Sequence, residues 1–325
     1  MGVDFYTAIL AALVAFTICI ILGPAVIPLL RRLKFGQNVR DDGPKSHLKK
    51  AGVPSMGGIV IIASIALASF YFSGISIEWQ LTMYLMMSFG LIGFFDDYIK
   101  VVKKRSMGLR AYQKFSLQVF CAIVFAVLIS INEIPMTVYI PFSDGIYIEL
   151  GIFGYIFIII TILGTANGVN FTDGLDGLAS GVTLLISLFF LYIAIALASP
   201  LVPALAAAAG ALLGFLLFNS YPAKVFMGDT GALALGGFVS AVAIILQMPL
   251  LIVIVAFVYL AEVLSVIIQV GYYKLTKRRF FKMAPIHHHF EMLGWPETKV
   301  VAFFYIVTAI LCLLGFLAVN RFFSY

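Results

Sequence analysis

Residues 166–181 read ANGVNFTDGLDGLASG and lie between long aliphatic runs. Asn167, Asn170, Asp173 and Asp176 recur there at intervals of three. A helical or 3₁₀ turn brings such positions roughly onto one side. Gly168, Gly174 and Gly177 loosen that turn and let a ligand approach the backbone. Polar groups this concentrated, in surroundings this apolar, mark a chemical site at helix ends.

The flanking runs decide the fold class. The chain has 325 residues, 62% apolar and 11% charged, with mean hydropathy +1.09. A water-soluble domain carries roughly a quarter charged residues. Apolar runs long enough to cross a bilayer recur along the whole length. The sequence therefore predicts an all-α polytopic membrane protein, a single domain over 1–325. About ten transmembrane helices are expected, at 5–30, 56–73, 79–95, 115–132, 150–168, 177–197, 201–218, 231–248, 249–273 and 300–320. The stretch ALAAAAGALLG (204–214) suits close helix packing in lipid. Asp4 stands where a cleavable signal would be basic, and the first run is long enough to span, so no cleaved leader is expected. Cys19, Cys121 and Cys312 fall inside apolar runs, without disulfide or metal spacing, and read as packing residues.

Charge sets the expected orientation. Thirteen Lys and Arg lie in 31–55 and 96–114, six in 219–230 and 274–298, and Lys299 borders the last; only Arg321 lies opposite. Asp4, Glu78, Glu133, Asp144 and Glu149 occupy that opposite side. The bias puts the basic loops in the cytoplasm and both termini outside. The net charge of +6 follows from topology, and no basic–aromatic pattern of a nucleic-acid binder accompanies it. TVYIPFSDGIYIEL (137–150) alternates around Asp144-Gly145 and predicts a short β-hairpin on the outer surface.

The concentrated polar chemistry falls on the inward face. FFDDYIK (94–100) brings Asp96, Asp97 and Lys100; NSYPAKVFMGDTGAL (219–233) brings Asn219, Lys224 and Asp229; MAPIHHHFEMLGW (283–295) brings three adjacent histidines. Each has a bland reading. Loop acids beside lysine are commonly solvated, and Asp229 could cap a helix. Adjacent histidines diverge and, without cysteine, make a poor zinc site. Glu262, deep in the ninth run, reads as a packing partner or the lining of a groove. Taken together, five acids at four helix ends suit Mg²⁺, held by hard oxygens, with cationic clamps for phosphate. A transporter would place its ionisable groups nearer the bilayer midplane.

KSHLKKAGVPSMGG (45–58), FFDDYIK (94–100), NGVNFTDGLDGLASG (167–181), NSYPAKVFMGDTGA (219–232) and APIHHHFE (284–291) together resemble the phospho-N-acetylmuramoyl-pentapeptide transferase family. That family lies within the polyprenyl-phosphate N-acetylhexosamine-1-phosphate transferases. The aspartate motifs belong to the whole superfamily; HLKKAG and the triple histidine point to the muramoyl branch. Val53 and Ser55 stand where the family usually has threonine, and Ala232 where it often has serine. The resemblance implies transfer from UDP-N-acetylmuramoyl-pentapeptide to undecaprenyl phosphate, giving lipid I and UMP, in the bacterial plasma membrane. It implies Mg²⁺ as cofactor and a homodimer. By the same resemblance Asp229 ligates Mg²⁺, and Asp96, Asp97 and Asp229 are catalytic together with His289. Lys50, Lys100 and Lys114 contact phosphates, Ser55 keeps a family hydroxyl in the substrate site, and Asn170 supports it. Asp173, Gly174, Leu175, Asp176, Asn219 and Phe226 hold the uridine end. His287 and His288 donate to sugar or phosphate, and Gln269 faces the sugar or peptide. The alternatives are a related transferase using UDP-N-acetylglucosamine and a transporter that merely binds diphosphates.

Overall fold

The computed structural model describes residues 5–33, 50, 52–103 and 108–319. Most of the HLKKAG motif, together with Asp4 and Arg321, lies outside the described residues. Within them run α1 (Phe5–Arg32), α2 (Gly58–Ser73), α3 (Ile77–Val102), α4 (Ala111–Ile131), β1 (Thr137–Tyr139), β2 (Tyr147–Glu149) and α5 (Phe153–Thr172). There follow α6 (Leu178–Ala196), α7 (Val202–Asn219), α8 (Gly228–Ile245), α9 (Leu251–Val255), α10 (Phe257–Thr276), α11 (Ile286–Met292) and α12 (Glu297–Val319).

Eight of these helices, α1, α4 to α8, α10 and α12, are long and apolar enough to cross a membrane. The second and third runs fall on α2, an apolar helix of 16 residues, and on α3, of 26 residues. α3 continues past its apolar run, so Asp96, Asp97 and Lys100 sit on its last turns and not in a loop. The ninth run is interrupted at Ala256, which separates α9 from α10. Nothing in the local sequence explains that break. The short sixth-to-seventh and eighth-to-ninth connections are real turns, with Ala198 and Gln247 in the left-handed region at φ 49° and 60°.

α8 is the centre of the bundle, with every residue from Thr230 to Ile245 buried. Lipid tails are as apolar as the helix faces, so packing must come from close approach. The small residues supply it. A Cβ at Gly210 of α7 would strike the Ala12 carbonyl of α1, and one at Gly214 would lie 2.9 Å from Cys19 Cβ. Gly93 of α3 likewise lies against the Asp229 backbone of α8.

The expected hairpin is present, antiparallel with Thr137 opposite Glu149 and Tyr139 opposite Tyr147. Its connection is a seven-residue loop, 140–146, and not a two-residue turn at Asp144-Gly145. Tyr139 ties it down: its N–H donates to the Gln247 carbonyl at 2.8 Å and its hydroxyl to the Ala318 carbonyl at 3.0 Å. Gln247 follows the C-terminal end of α8 and Asp229 opens it, so hairpin and acids lie about 27 Å apart along one helix.

Candidate active site

The end of α3, the start of α4, the end of α5 and the start of α8 converge on Asp229. Its Oδ2 accepts from Lys100 Nζ at 2.8 Å and from Lys114 Nζ at 2.9 Å, and its Oδ1 from Asn170 Nδ2 at 2.7 Å. Lys114 also donates to Asn170 Oδ1 at 3.1 Å. Lys100 Nζ lies 2.6 Å from Asp96 Oδ2 and 3.5 Å from Asp97 Oδ1, on the (i, i+4) and (i, i+3) faces that the extended α3 provides.

Asp229 does not cap α8. That role falls to Asp97, whose Oδ2 accepts from the Thr230 N–H at 2.9 Å and the Thr230 hydroxyl at 2.8 Å. One carboxylate thereby satisfies an orphan N–H of a buried helix start. Asp96 Oδ1 accepts the Leu109 N–H at 2.8 Å, tying the segment just before α4 to the end of α3. Gly228 has φ +72°, and a Cβ there would fall 2.6 Å from Ser55 Oγ and 2.7 Å from Asp97 Oδ2, so only glycine fits. Ser55 thus lies beside the acids. The segment that carries it pairs with the start of α8: Phe226 N–H donates to the Pro54 carbonyl at 2.8 Å and Gly58 N–H to the Met227 carbonyl at 2.9 Å.

The 173–177 turn forms the adjoining wall. Burial, then the Asp229 and Asp97 charges, pushes the Asp173 carboxyl well above the usual carboxylate range, against the Gly228 N–H that donates to it. Asp176 points the other way, its Oδ1 on Lys50 Nζ at 2.6 Å and its Oδ2 on the Ala223 N–H at 2.9 Å. Burial alone would lower the Lys50 pKa, but Asp176 and Glu297 outweigh it and hold the ammonium above its ordinary value. Lys50 Nζ also lies 6.0 Å from the Phe226 ring centroid, at the limit of a cation–π contact. Leu175 is buried. Asn219 is buried and fully engaged, accepting from Ser180 Oγ at 2.7 Å and donating to the Val225 carbonyl at 3.0 Å. It shapes the loop that presents Phe226 from within.

The three histidines diverge. His287 is fully buried, its Nδ1 3.1 Å from Glu262 Oε1, and its Nε2 lies against Gly174, where a Cβ would strike it. Glu262 is therefore a partner of the histidine loop. His288 Nδ1 faces Glu291 Oε2 at 2.7 Å. His289 Nδ1 accepts from the Lys282 N–H at 3.1 Å. Of the three, His287 is the one packed on the acid-bearing turn. Gln269 Oε1 accepts from the Phe280 and Phe281 N–H groups at 3.2 and 2.8 Å, holding the loop that leads to the histidines.

The glycosyl transferase family 4 profile matches residues 79–247, the stretch that holds the acid cluster and the 173–177 turn. Relatives match far beyond it. A phospho-N-acetylmuramoyl-pentapeptide-transferase of Clostridium kluyveri is 50% identical over 316 residues, covering 96% of this chain and 99% of that protein. The one from Clostridioides difficile is 50% identical over 95% of this chain and 96% of its own length. That of Clostridium novyi is 49% identical over 96% and 97%. The chain belongs to the phospho-N-acetylmuramoyl-pentapeptide-transferase family.

For a member of this family the acid cluster has a further property. Asp96, Asp97 and Asp229 each bring an oxygen within 4.8 Å of the others. Burial, then the neighbouring Asp229, pushes the Asp96 and Asp97 carboxyls up, while Lys114 and Lys100 outweigh burial and hold Asp229 well below the usual carboxylate range. A cluster of hard oxygen donors with Asp229 held ionised fits a cation such as Mg²⁺, which takes one or two carboxylates and fills its octahedron with waters and substrate phosphates. Two members of the site gave no chemical signal in the sequence. Thr230 reads as a routine helix-start residue. Glu297, in WPETK, reads as the acid that favours the first turn of a helix.

Proposed function

We propose that this transferase moves the phospho-N-acetylmuramoyl-pentapeptide group from its UDP-linked donor to undecaprenyl phosphate, releasing UMP and giving lipid I, at the cytoplasmic face of a bacterial plasma membrane. The observation that carries the chemistry is the meeting of three carboxylates with Lys100 and Lys114 at helix ends. Half identity to named transferases along nearly the full length supports the donor.

Two phosphate groups must approach each other, so the site has to cancel their repulsion. Lys100 and Lys114 are fixed cations for this, oriented by Asp229 and Asn170. Mg²⁺, which we propose is held chiefly by Asp229, would supply further neutralisation of charge developing on the phosphoryl oxygens. Asp96 and Asp97 position the lipid phosphate. That monoester, with a second pKa of about 6, is largely dianionic near neutral pH and needs orientation more than deprotonation. A lipid phosphate oxygen bonds to the β-phosphorus of the donor as the bridging oxygen departs with UMP. Asp229 is a poor candidate for a covalent intermediate, because a carboxylate committed to Mg²⁺ would have its lone pairs and charge engaged. Lys50, Asp173, Asp176 and Phe226 line the wall for the nucleotide, with Asn219 behind them. The one-sided bias of Lys and Arg in the sequence supports the cytoplasmic assignment, and a homodimer is what the resemblance implies.

The test is donor choice and sidedness. Purified protein should release UMP with UDP-N-acetylmuramoyl-pentapeptide far faster than with UDP-N-acetylglucosamine. In sealed vesicles the impermeant donor should react only when the acid-cluster side faces outward. Preference for the N-acetylglucosamine donor would overturn the substrate assignment, and reaction from the hairpin side would overturn the topology.

A further inference from the structure

We propose that Glu297 is a positioning residue for the nucleotide end of the donor, an inference that rests on the transferase reading. Its Oε1 accepts from Lys50 Nζ at 2.6 Å and from the Asp176 N–H at 2.8 Å. Asp176 Oδ1 holds the same ammonium at 2.6 Å. Lys50, Asp176 and Glu297 thus close a ring from three distant segments: the chain before α2, the α5–α6 turn and the first turn of α12. All three side chains are largely withdrawn from solvent, 14%, 2% and 9% exposed.

A lysine side chain is long and flexible, and ordering it when a ligand arrives weakens binding. Here that order exists beforehand, because two carboxylates from different segments hold the ammonium. The same Glu297 oxygen anchors the backbone of the turn that carries Asp173 and Gly174. Glu297 makes none of the contacts to Asp229, Lys100 or Lys114 described above, so its effect is confined to the donor wall. As a first-turn acid it also suits the α12 dipole, but that role would move stability without distinguishing one substrate from the other.

The experiment measures UMP release by the purified full chain while UDP-N-acetylmuramoyl-pentapeptide and undecaprenyl phosphate are varied separately, with UMP binding followed by calorimetry. Glu297→Ala should raise the donor KM and the UMP Kd about tenfold, the scale of a lost charge-assisted hydrogen bond, leaving the acceptor KM unchanged. Glu297→Gln keeps an acceptor oxygen in place and should restore most of the loss. An unchanged donor KM in Glu297→Ala, a parallel rise in both KM values, or a glutamine variant as impaired as the alanine one would each overturn the proposal. Should the alanine variant fail to fold, Glu297→Asp keeps the charge but withdraws it by one methylene. It should still raise the donor KM, and wild-type kinetics would overturn the inference. Wild-type protein that neither binds UMP nor releases it would overturn the transferase reading itself, whereas normal wild-type turnover with unaffected variants would remove only the role of Glu297.

Discussion

Asp229 has both carboxylate oxygens occupied, by Lys100 and Lys114 on one and Asn170 on the other. An acid serving only as a surface charge or a cap would not gather two ammonium groups and an amide. Its place depends on a residue with no side chain. A methyl at Gly93 would run into the Asp229 carbonyl, which is backbone and cannot swing aside. Gly93→Ala should therefore separate α3 from α8, costing about 1–3 kcal/mol as overpacking does, and should move Asp229 relative to Asp96 and Asp97. The expected result is a lower Tm together with a fall in turnover greater than the unfolded fraction explains; wild-type values for both would contradict this packing. The acids were legible in the sequence because ionisable groups are rare in so apolar a chain. Glu297 was not, because at a helix start its charge already has an ordinary explanation. Asn219 was legible as polar, but its role inside the loop needed the fold to show that both ends of its amide are already engaged.

At the scale of elements, apolar runs located the helices because length and hydropathy report a bilayer-sized core directly. They missed what polar residues do at the ends. The run on α3 stops near residue 95, yet the helix continues to Val102 and places Lys100 one turn from Asp96. The break between α9 and α10 left no hydropathy signal either. α11 shows how one short element divides adjacent residues among different tasks. His287 packs against Gly174 and pairs with Glu262, His288 pairs with Glu291, and His289 receives the Lys282 N–H. Alanine variants of the three should lose activity unequally. His287→Ala should be the most damaging, since it leaves Glu262 buried without its partner and removes support from the acid-bearing turn. Turnover and Tm compared across the series check this, and equal, small losses in all three would contradict it.

Across the whole molecule, the bundle separates two ends of one buried helix. At the C-terminal end of α8 the hairpin is tied to Gln247 and Ala318; at its N-terminal end lie the three carboxylates, the two lysines and the 173–177 turn. The sequence pattern carried this division in its charge bias, whereas the meeting of Lys50 with Glu297 needed the chain to be folded. The account makes the acid cluster the place where a lipid phosphate attacks the donor directly. Its most direct test is UMP release from UDP-N-acetylmuramoyl-pentapeptide by protein rigorously stripped of lipid, with and without added undecaprenyl phosphate, for wild type and a folded Asp229→Asn variant. The account predicts release only when the lipid is present, no exchange of labelled UMP into the donor in its absence, and a loss in Asp229→Asn of about a thousandfold, or roughly 4 kcal/mol. Robust lipid-free exchange, or near-normal release by Asp229→Asn, would contradict it.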